Sequence, residues 1–290
     1  MTERAPPGGD PLADATAHCA GLARAHARDQ WLGALYANAT ARGALFALAS
    51  FDYEIRQAPK RARDPNLAAI RLAWWRETIS GERRAEAAGN PVALALHAAI
   101  DAHTLPQAWL EAMLDARLQE MAPQDDFNLI AFRAFADESE GARLRLASRI
   151  AAGAQDLDPA DAHAPAGMAL ALTRLLKELP FKAGSAPTLI PTDVAARHSV
   201  SVADFDARRS NSGVLAACAE LRKLARDELA QAERSLRTSD PAILPAFIPL
   251  APLRLDLDQL DRNANCPFDA VGEISPLRRQ WAIWRWARRF

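Results

Sequence analysis

Leu45, Leu48, Phe51, Asp52 and Ile55 recur at three- and four-residue spacing, a rhythm that only a helix gathers onto one face. Asn38-Ala39-Thr40 offers the start of that helix and Pro59 its predicted stop, so Asp52 falls on the apolar side. The same period runs from Asp14 to Leu35 through Leu22, Ala25, Trp31 and Leu32. It returns at Ile70, Trp74 and Ile79 after a linker over Ala58–Asn66, where Asp64-Pro65 is the next start and Gly81 the next stop. Further helices are predicted over Pro91–His103, Pro106–Met121, Asn128–Ala154, Asp161–Leu179 and Gly213–Leu236. The stretches between Pro180 and Asn211 and between Ser239 and Pro276 are rich in Pro, Asp and Asn and read as loops. Strand signals are confined to Thr188-Leu189-Ile190, too short to carry a sheet. The chain is therefore all-α, with about eight helices in one bundle-like domain. Its expected organisation is a disordered N-terminus over 1–11, a helical domain over 12–238, and a C-terminal extension over 239–290 packed on the same domain.

Composition narrows the function classes. With 290 residues, half of them apolar, the chain can bury a substantial core. A formal net charge of -1 gives no global attraction to nucleic acid, so no nucleic-acid partner is expected. Cys19, Cys218 and Cys266 have neither metal-ligand spacing nor the even count of a disulfide framework, which fits a reducing compartment. Met1 to Ala20 has no apolar run of signal-peptide length, and nothing approaches the roughly 20 apolar residues that span a bilayer. These features predict a cytoplasmic protein.

No Gly-rich phosphate loop, dinucleotide fingerprint, zincin helix or nucleophile elbow is present in the sequence. His97 and His103 are six apart and do not share a helix face as metal ligands four apart would; the remaining histidines read as surface or capping residues. Asp256, Asp258 and Asp261 lack the glycine and the terminal glutamate of a calcium loop. Asp125-Asp126 precedes an apolar helix and reads as its cap. The last segment, Leu277 to Phe290, is a basic helix rich in tryptophan. Leu277, Trp281 and Trp284 share one face, with Arg278, Arg285 and Arg289 on a flank. Such a helix can lie at a membrane interface, dock on a partner, or fold back on the bundle.

Two stretches carry a family likeness. Ala44-Leu45-Phe46-Ala47-Leu48 through Phe51, followed by Ile70 to Arg76, and the ungapped run from Leu172 through Leu179-Pro180-Phe181-Lys182 to Pro191 resemble the squalene/phytoene synthase family. The resemblance spans roughly residues 20 to 240 and implies an isoprenoid-synthase-like helical bundle with a central cavity. Members of the family join two prenyl diphosphates on magnesium held by aspartates from two helices. Anchoring the first motif on Ala44 to Leu48 places the family's acids at Arg56, Gln57 and Lys60, none of which can ligate magnesium. In the second motif the corresponding residues are Glu178, Phe181 and Lys182. Pro59 and Pro180 are expected to unwind the two turns that would present the acids. These departures are similar to those of a divergent branch that includes a factor for assembly of respiratory complex I.

The resemblance implies a protein that has lost magnesium-dependent condensation, carries no cofactor, and acts as a binding or assembly factor at a respiratory complex. A peripheral place on the inner face of the membrane follows from the same likeness. Two alternatives stand beside it. One is an active prenyltransferase of the phytoene or squalene synthase type, with magnesium on a displaced site of Asp52, Glu54 and Glu178. The other is a module holding a prenyl lipid, with head-group candidates Arg42, Arg71, Arg76, Lys177 and Lys182, since arginine suits bidentate phosphate contacts and lysine acts as a point charge. Arg71 and Arg76 could equally snorkel to solvent while Trp74 and Trp75 pack the core. The docking candidates are Arg278, Trp281, Trp284, Arg285 and Arg289.

Overall fold

Pro59 and Pro180 do not end their helices. In the computed structural model, which describes residues 10–61, 65–121, 126–155, 162–182 and 189–289, α3 (Ala39–Arg61) and α10 (His163–Lys182) each continue two residues past the proline. Each proline deletes a single backbone bond in the last turn. The core-facing residues beside it, Ile55 and Ala58 in α3 and Leu176 and Leu179 in α10, are buried and hold that turn in place. The predicted apolar face of α3 is correct in detail: Leu45, Leu48, Phe51, Asp52 and Ile55 are all buried. Residues 1–9, Asp64, Asp125 and Thr188, and the side chain of Lys60, lie outside what is described.

The predicted helix over Asp14–Leu35 is two helices. α1 (Pro11–His26), capped by the Asp10 side chain, stops where Ala27 leaves helical geometry (φ -131°, ψ 49°), and α2 (Arg28–Leu35) leaves in a new direction. That break turns Asp29 and Gln30 toward the middle of the molecule. α4 (Pro65–Ser80), α5 (Arg84–Ala87), α6 (Pro91–His103) and α7 (Gln107–Gln119) follow, and α1, α3 and α6 pack on one another. Phe51, Trp75 and Trp74 form consecutive edge-to-face pairs at 5.1 and 4.9 Å, so the tryptophans of α4 belong to the packing.

The helix predicted over Asn128–Ala154 is interrupted by one π turn. α8 (Leu129–Ala136) passes through Asp137–Gly141 into α9 (Ala142–Ala151). The side chain that caps α8 is that of Asn128 and not Asp126, while Asp125 lies outside the described residues. Asn128 Oδ1 accepts from the N–H groups of Ile130 and Ala131, and Asp193 Oδ1 accepts from Leu129 N at 2.9 Å. The π turn meets α10 at a close crossing: a Cβ on Gly167 would lie 2.9 Å from the backbone nitrogen of Gly141. Only glycine admits that approach.

The two stretches read as loops both contain short helices among their described residues. α11 (Thr192–Arg197) and α12 (Val202–Asp206) lie in the first, before α13 (Ser212–Leu236), which packs along α10. The second holds two 3₁₀ turns, Pro241–Ile243 and Ile248–Leu250, with α14 (Leu244–Phe247) between them and α15 (Leu253–Arg262) after them. Its prolines misled the sequence reading because they occupy first-turn or cap positions, where a missing N–H costs nothing. Ile243, Phe247, Ile248, Leu250, Leu253 and Leu257 are buried and supply the reason to fold. α16 (Pro276–Ala287) closes the chain, and no strand occurs among the described residues.

Candidate functional site

α3 and α10 face each other across a cavity of about 560 Å³, closed on one side by the π turn and α9 and on the other by the α1–α2 break, α15 and α16. Its lining carries six cationic side chains, Arg28, Arg56, Arg143, Arg174, Lys177 and Arg279, and five acidic ones, Asp29, Asp52, Glu140, Glu178 and Asp256. Every one of those acids is engaged by a base.

Deepest is a lattice that joins α3, the π turn, α9, α10 and the end of α7. Arg56 Nε donates to Asp52 Oδ1 at 2.7 Å within α3, and its Nη2 donates to Glu140 Oε1 at 2.8 Å across to the π turn. Arg143 Nε donates to Glu140 Oε2 at 3.1 Å and stands 3.9 Å from Asp52, whose other oxygen accepts from Gln30 at 3.1 Å. Arg174 of α10 lies 3.5 Å from Glu140 and donates to Glu120 at 3.2 Å, which also takes a bond from the fully buried Arg117 at 2.8 Å. Four guanidiniums thus face three carboxylates. Burial by itself would raise the pKa values of Asp52 and Glu140, but the positive charges of Arg56 and Arg143 outweigh it and hold both below the usual carboxylate range. The π turn is what makes this possible, because it brings Glu140 inward onto the face that meets α3 and α10.

Nearer the mouth, Asp256 of α15 accepts from Lys177 at 2.8 Å and from Arg279 of α16 at 3.1 and 3.2 Å. Arg279 also forks onto both oxygens of Asp29, at 2.7 and 2.5 Å. Burial disfavours the charge on Arg279, and the two aspartates more than restore it, so its pKa is raised. Lys182 lies 3.2 Å from Glu178. At the rim the His26 ring stacks on Tyr53, centroids 4.4 Å apart.

The sequence candidates divide between cavity and surface. Asp52, Glu178 and Lys177 line the cavity, whereas Glu54 is not in its lining. Arg42 is spent on the backbone, donating to the carbonyls of Ala37 and Leu35 at the end of α2. Arg71 is exposed on α4, and Arg76 pairs with Asp115 of α7. Asp258 and Asp261 are held by Arg222 and Arg226 on a helix, not in a calcium loop. His163 is neither a surface nor a capping residue. Its ring bonds to the Ser148 hydroxyl at 3.0 Å, and burial, with Arg145 nearby, pushes its pKa down to about 3.

The sequence reading did not single out Glu140, Arg143, Arg174, Asp29 or Arg279. Glu140 and Arg143, three apart in a helical stretch, were a legible signal, since an acid and a base at that spacing lie on one helix face.

These residues do not suit magnesium. That ion wants near-octahedral oxygen ligands at about 2.0–2.1 Å. Here each cavity carboxylate already meets a guanidinium or ammonium, and the bases outnumber the acids. Among the described residues no three His, Cys, Asp or Glu side chains are grouped to hold a metal. Electrostatically the cavity is better prepared for an anionic group than for a divalent cation.

Comparison with known proteins places these features. The sequence profile of the squalene/phytoene synthase family matches residues 23–285. Assembly factor 6 of NADH dehydrogenase (ubiquinone) complex I from Homo sapiens is 25% identical over 245 residues, covering 84% of this chain and 73% of that protein. Among solved structures, squalene synthase HpnC from Alicyclobacillus acidocaldarius superimposes with a TM-score of 0.74 at 18% identity, covering 89% of this chain and 97% of that one. A dehydrosqualene synthase in complex with ligand gives 0.77 at 14% identity, covering 97% and 99%.

Proposed function

This chain belongs to the squalene/phytoene synthase family, and from that premise we propose that it is an assembly factor for respiratory complex I that has given up magnesium-dependent prenyl condensation. The relatives named as assembly factor 6 of that complex supply the partner class. The observation that carries the loss of catalysis is the lattice itself: the carboxylates that line the cavity are neutralised by the protein's own Arg56, Arg143, Lys177 and Arg279. A diphosphate–magnesium cluster would have to break those pairs, each of which closes on a buried carboxylate that is costly to leave uncompensated. In this reading the old substrate cavity survives as a rigid, polar-walled core that presents the outer helix faces to a partner, at the inner face of the membrane that carries the complex. No helix among the described residues is long and apolar enough to cross a membrane.

Two measurements test it. Purified protein incubated with farnesyl or geranylgeranyl diphosphate and magnesium is expected to release no diphosphate above background; enzyme-like turnover refutes the loss of catalysis. Deleting the gene in its own organism is expected to lower assembled complex I on native gels, and an unchanged level refutes the assembly role.

The cavity's size favours one second reading, a prenyl-lipid-binding module. Leu170, Phe181, Pro249 and Leu253 add apolar surface to the lining beside its cations. Thermal-shift titration with prenyl phosphates separates the readings, because a ligand of the native state raises its stability. Stabilisation that needs magnesium supports the enzyme, stabilisation without it the lipid module, and none the assembly factor.

A further inference from the structure

α16 folds back on the bundle by one face and leaves the other bare. Ile283 and Trp286 are buried and Arg279 reaches Asp29 and Asp256, while Leu277, Trp281 and Trp284 remain 79%, 58% and 47% exposed. The helix therefore has an anchoring side and a free aromatic side, which the sequence alone left as alternatives.

Between α15 and α16 runs a groove of about 310 Å³, separate from the cavity described above. Ala251, Leu255, Ala282 and Trp286 give it apolar walls, and Arg254, Arg278, Arg285 and Arg289 line it with positive charge. Arg254 is held by Glu233, whose carboxylate also accepts from Trp286 Nε1 at 3.3 Å. Arg278 and Arg289 have no acidic partner among the described residues. Arg285 lies over the Trp281 ring at 4.6 Å and Arg288 over Trp284 at 4.6 Å, so both cations stand beside exposed aromatic faces. From Ile274 to Arg289 the chain contains no acidic residue.

We propose that this groove and the bare face of α16 form a docking site for an anionic phospholipid bilayer, with Arg278, Arg285 and Arg289 taking a lipid phosphate and Trp281, Trp284 and Leu277 lying among the head groups. The observations select this occupant by charge and by type. Tryptophan is enriched at the membrane–water interface because its ring is apolar and its N–H is polar. Arginine on the flank suits bidentate contact with phosphate oxygens. A helix of this composition lies in the plane of the interface instead of crossing it. A protein partner would need a surface acidic enough to match the unpaired arginines. A bilayer rich in acidic lipid offers that charge continuously, and takes up the tryptophans as well. This deepens the membrane-side placement proposed above. The vesicle assay reports on lipid alone, so its failure leaves the assembly reading to its own tests.

The experiment is flotation of the full chain with vesicles of phosphatidylcholine alone and of phosphatidylcholine mixed with phosphatidylglycerol. The protein is expected to float with the mixed vesicles, to stay behind with the neutral ones, and to detach as salt is raised. The triple variant R278E/R285E/R289E should weaken partition by on the order of 100-fold or more, as expected for several basic groups at a charged surface. R278K/R285K/R289K should retain most of it, and W281A/W284A should lose binding while keeping the charge. All these side chains are exposed, so the variants should melt with the wild type. Absence of flotation with the mixed vesicles, equal flotation with neutral ones, or undiminished binding of the charge-reversed variant would overturn the proposal.

Discussion

Replacing Arg56 by methionine removes the guanidinium that joins α3 to the π turn while keeping the apolar stem. Asp52 and Glu140, 4% and 5% exposed, then lose their nearest cation. Asp52 keeps Gln30 at 3.1 Å and Arg143 at 3.9 Å, and Glu140 keeps Arg143 at 3.1 Å and Arg174 at 3.5 Å. Breaking a buried ion pair by deleting one partner costs about 3–5 kcal/mol. The surviving arginines place this case at the lower end, about 3 kcal/mol, or a fall in melting temperature of roughly 6–12 °C at ~2–4 °C per kcal/mol. The pH dependence is the sharper test. In the wild type both carboxyls have depressed pKa values, so their contribution is intact above the unfolded carboxylate range and is lost only as pH falls through the folded values. In the variant burial dominates and the folded pKa values rise above the unfolded ones, so protonation relieves the penalty and the cost shrinks between about pH 7 and about pH 5. Urea denaturation followed by far-UV circular dichroism at the two pH values measures this. A cost below about 1 kcal/mol at pH 7, or one that does not change with pH, would refute the view that the lattice is a buried, mutually dependent charge network. The combined variant R56M/R143M/D52N/E140Q should recover much of the loss, since it removes the mutually paired charges together while Arg117 and Arg174 keep Glu120.

Three further outcomes follow from the packing. Gly167→Ala should destabilise by about 1–3 kcal/mol, read as a lower urea midpoint with unchanged slope, because its Cβ would sit 2.9 Å from a backbone nitrogen that cannot retreat. His163 stays neutral when folded, with its pKa near 3, while the unfolded chain takes up a proton below about pH 6.5. Stability should therefore fall on acidification by up to ~1.4 kcal/mol per pH unit, and His163→Phe should flatten that slope in the same denaturation series. Native protein should expose one thiol to a disulfide reagent at neutral pH, Cys266, because burial pushes Cys19 and Cys218 up to about 11; all three should react in urea.

Much of the fold was written in the order of the residues. The face carrying Leu45, Leu48, Phe51, Asp52 and Ile55, the helical nature of the chain, and the likeness to a cavity-bearing bundle all follow from periodicity and local motif, which are short-range properties. Local signals also misled, at Pro59 and Pro180 and in the proline-rich stretch before α15, because proline's penalty depends on where in a helix it falls and on what its neighbours bury.

The site needed three dimensions. Arg56 meets Glu140 across 84 positions of sequence, and Arg279 meets Asp29 across 250. Such pairings leave no periodic trace, since they arise only when helices from distant parts of the chain pack. The family resemblance implied that Arg56, Gln57 and Lys60 in α3, and Glu178, Phe181 and Lys182 in α10, stand where magnesium's ligands are expected. Folding decided that the remaining carboxylates would be claimed by cations from α3, α9, α10 and α16, and which side of the last helix would face outward, because charge neutralisation in a buried space depends on distance and not on order along the chain.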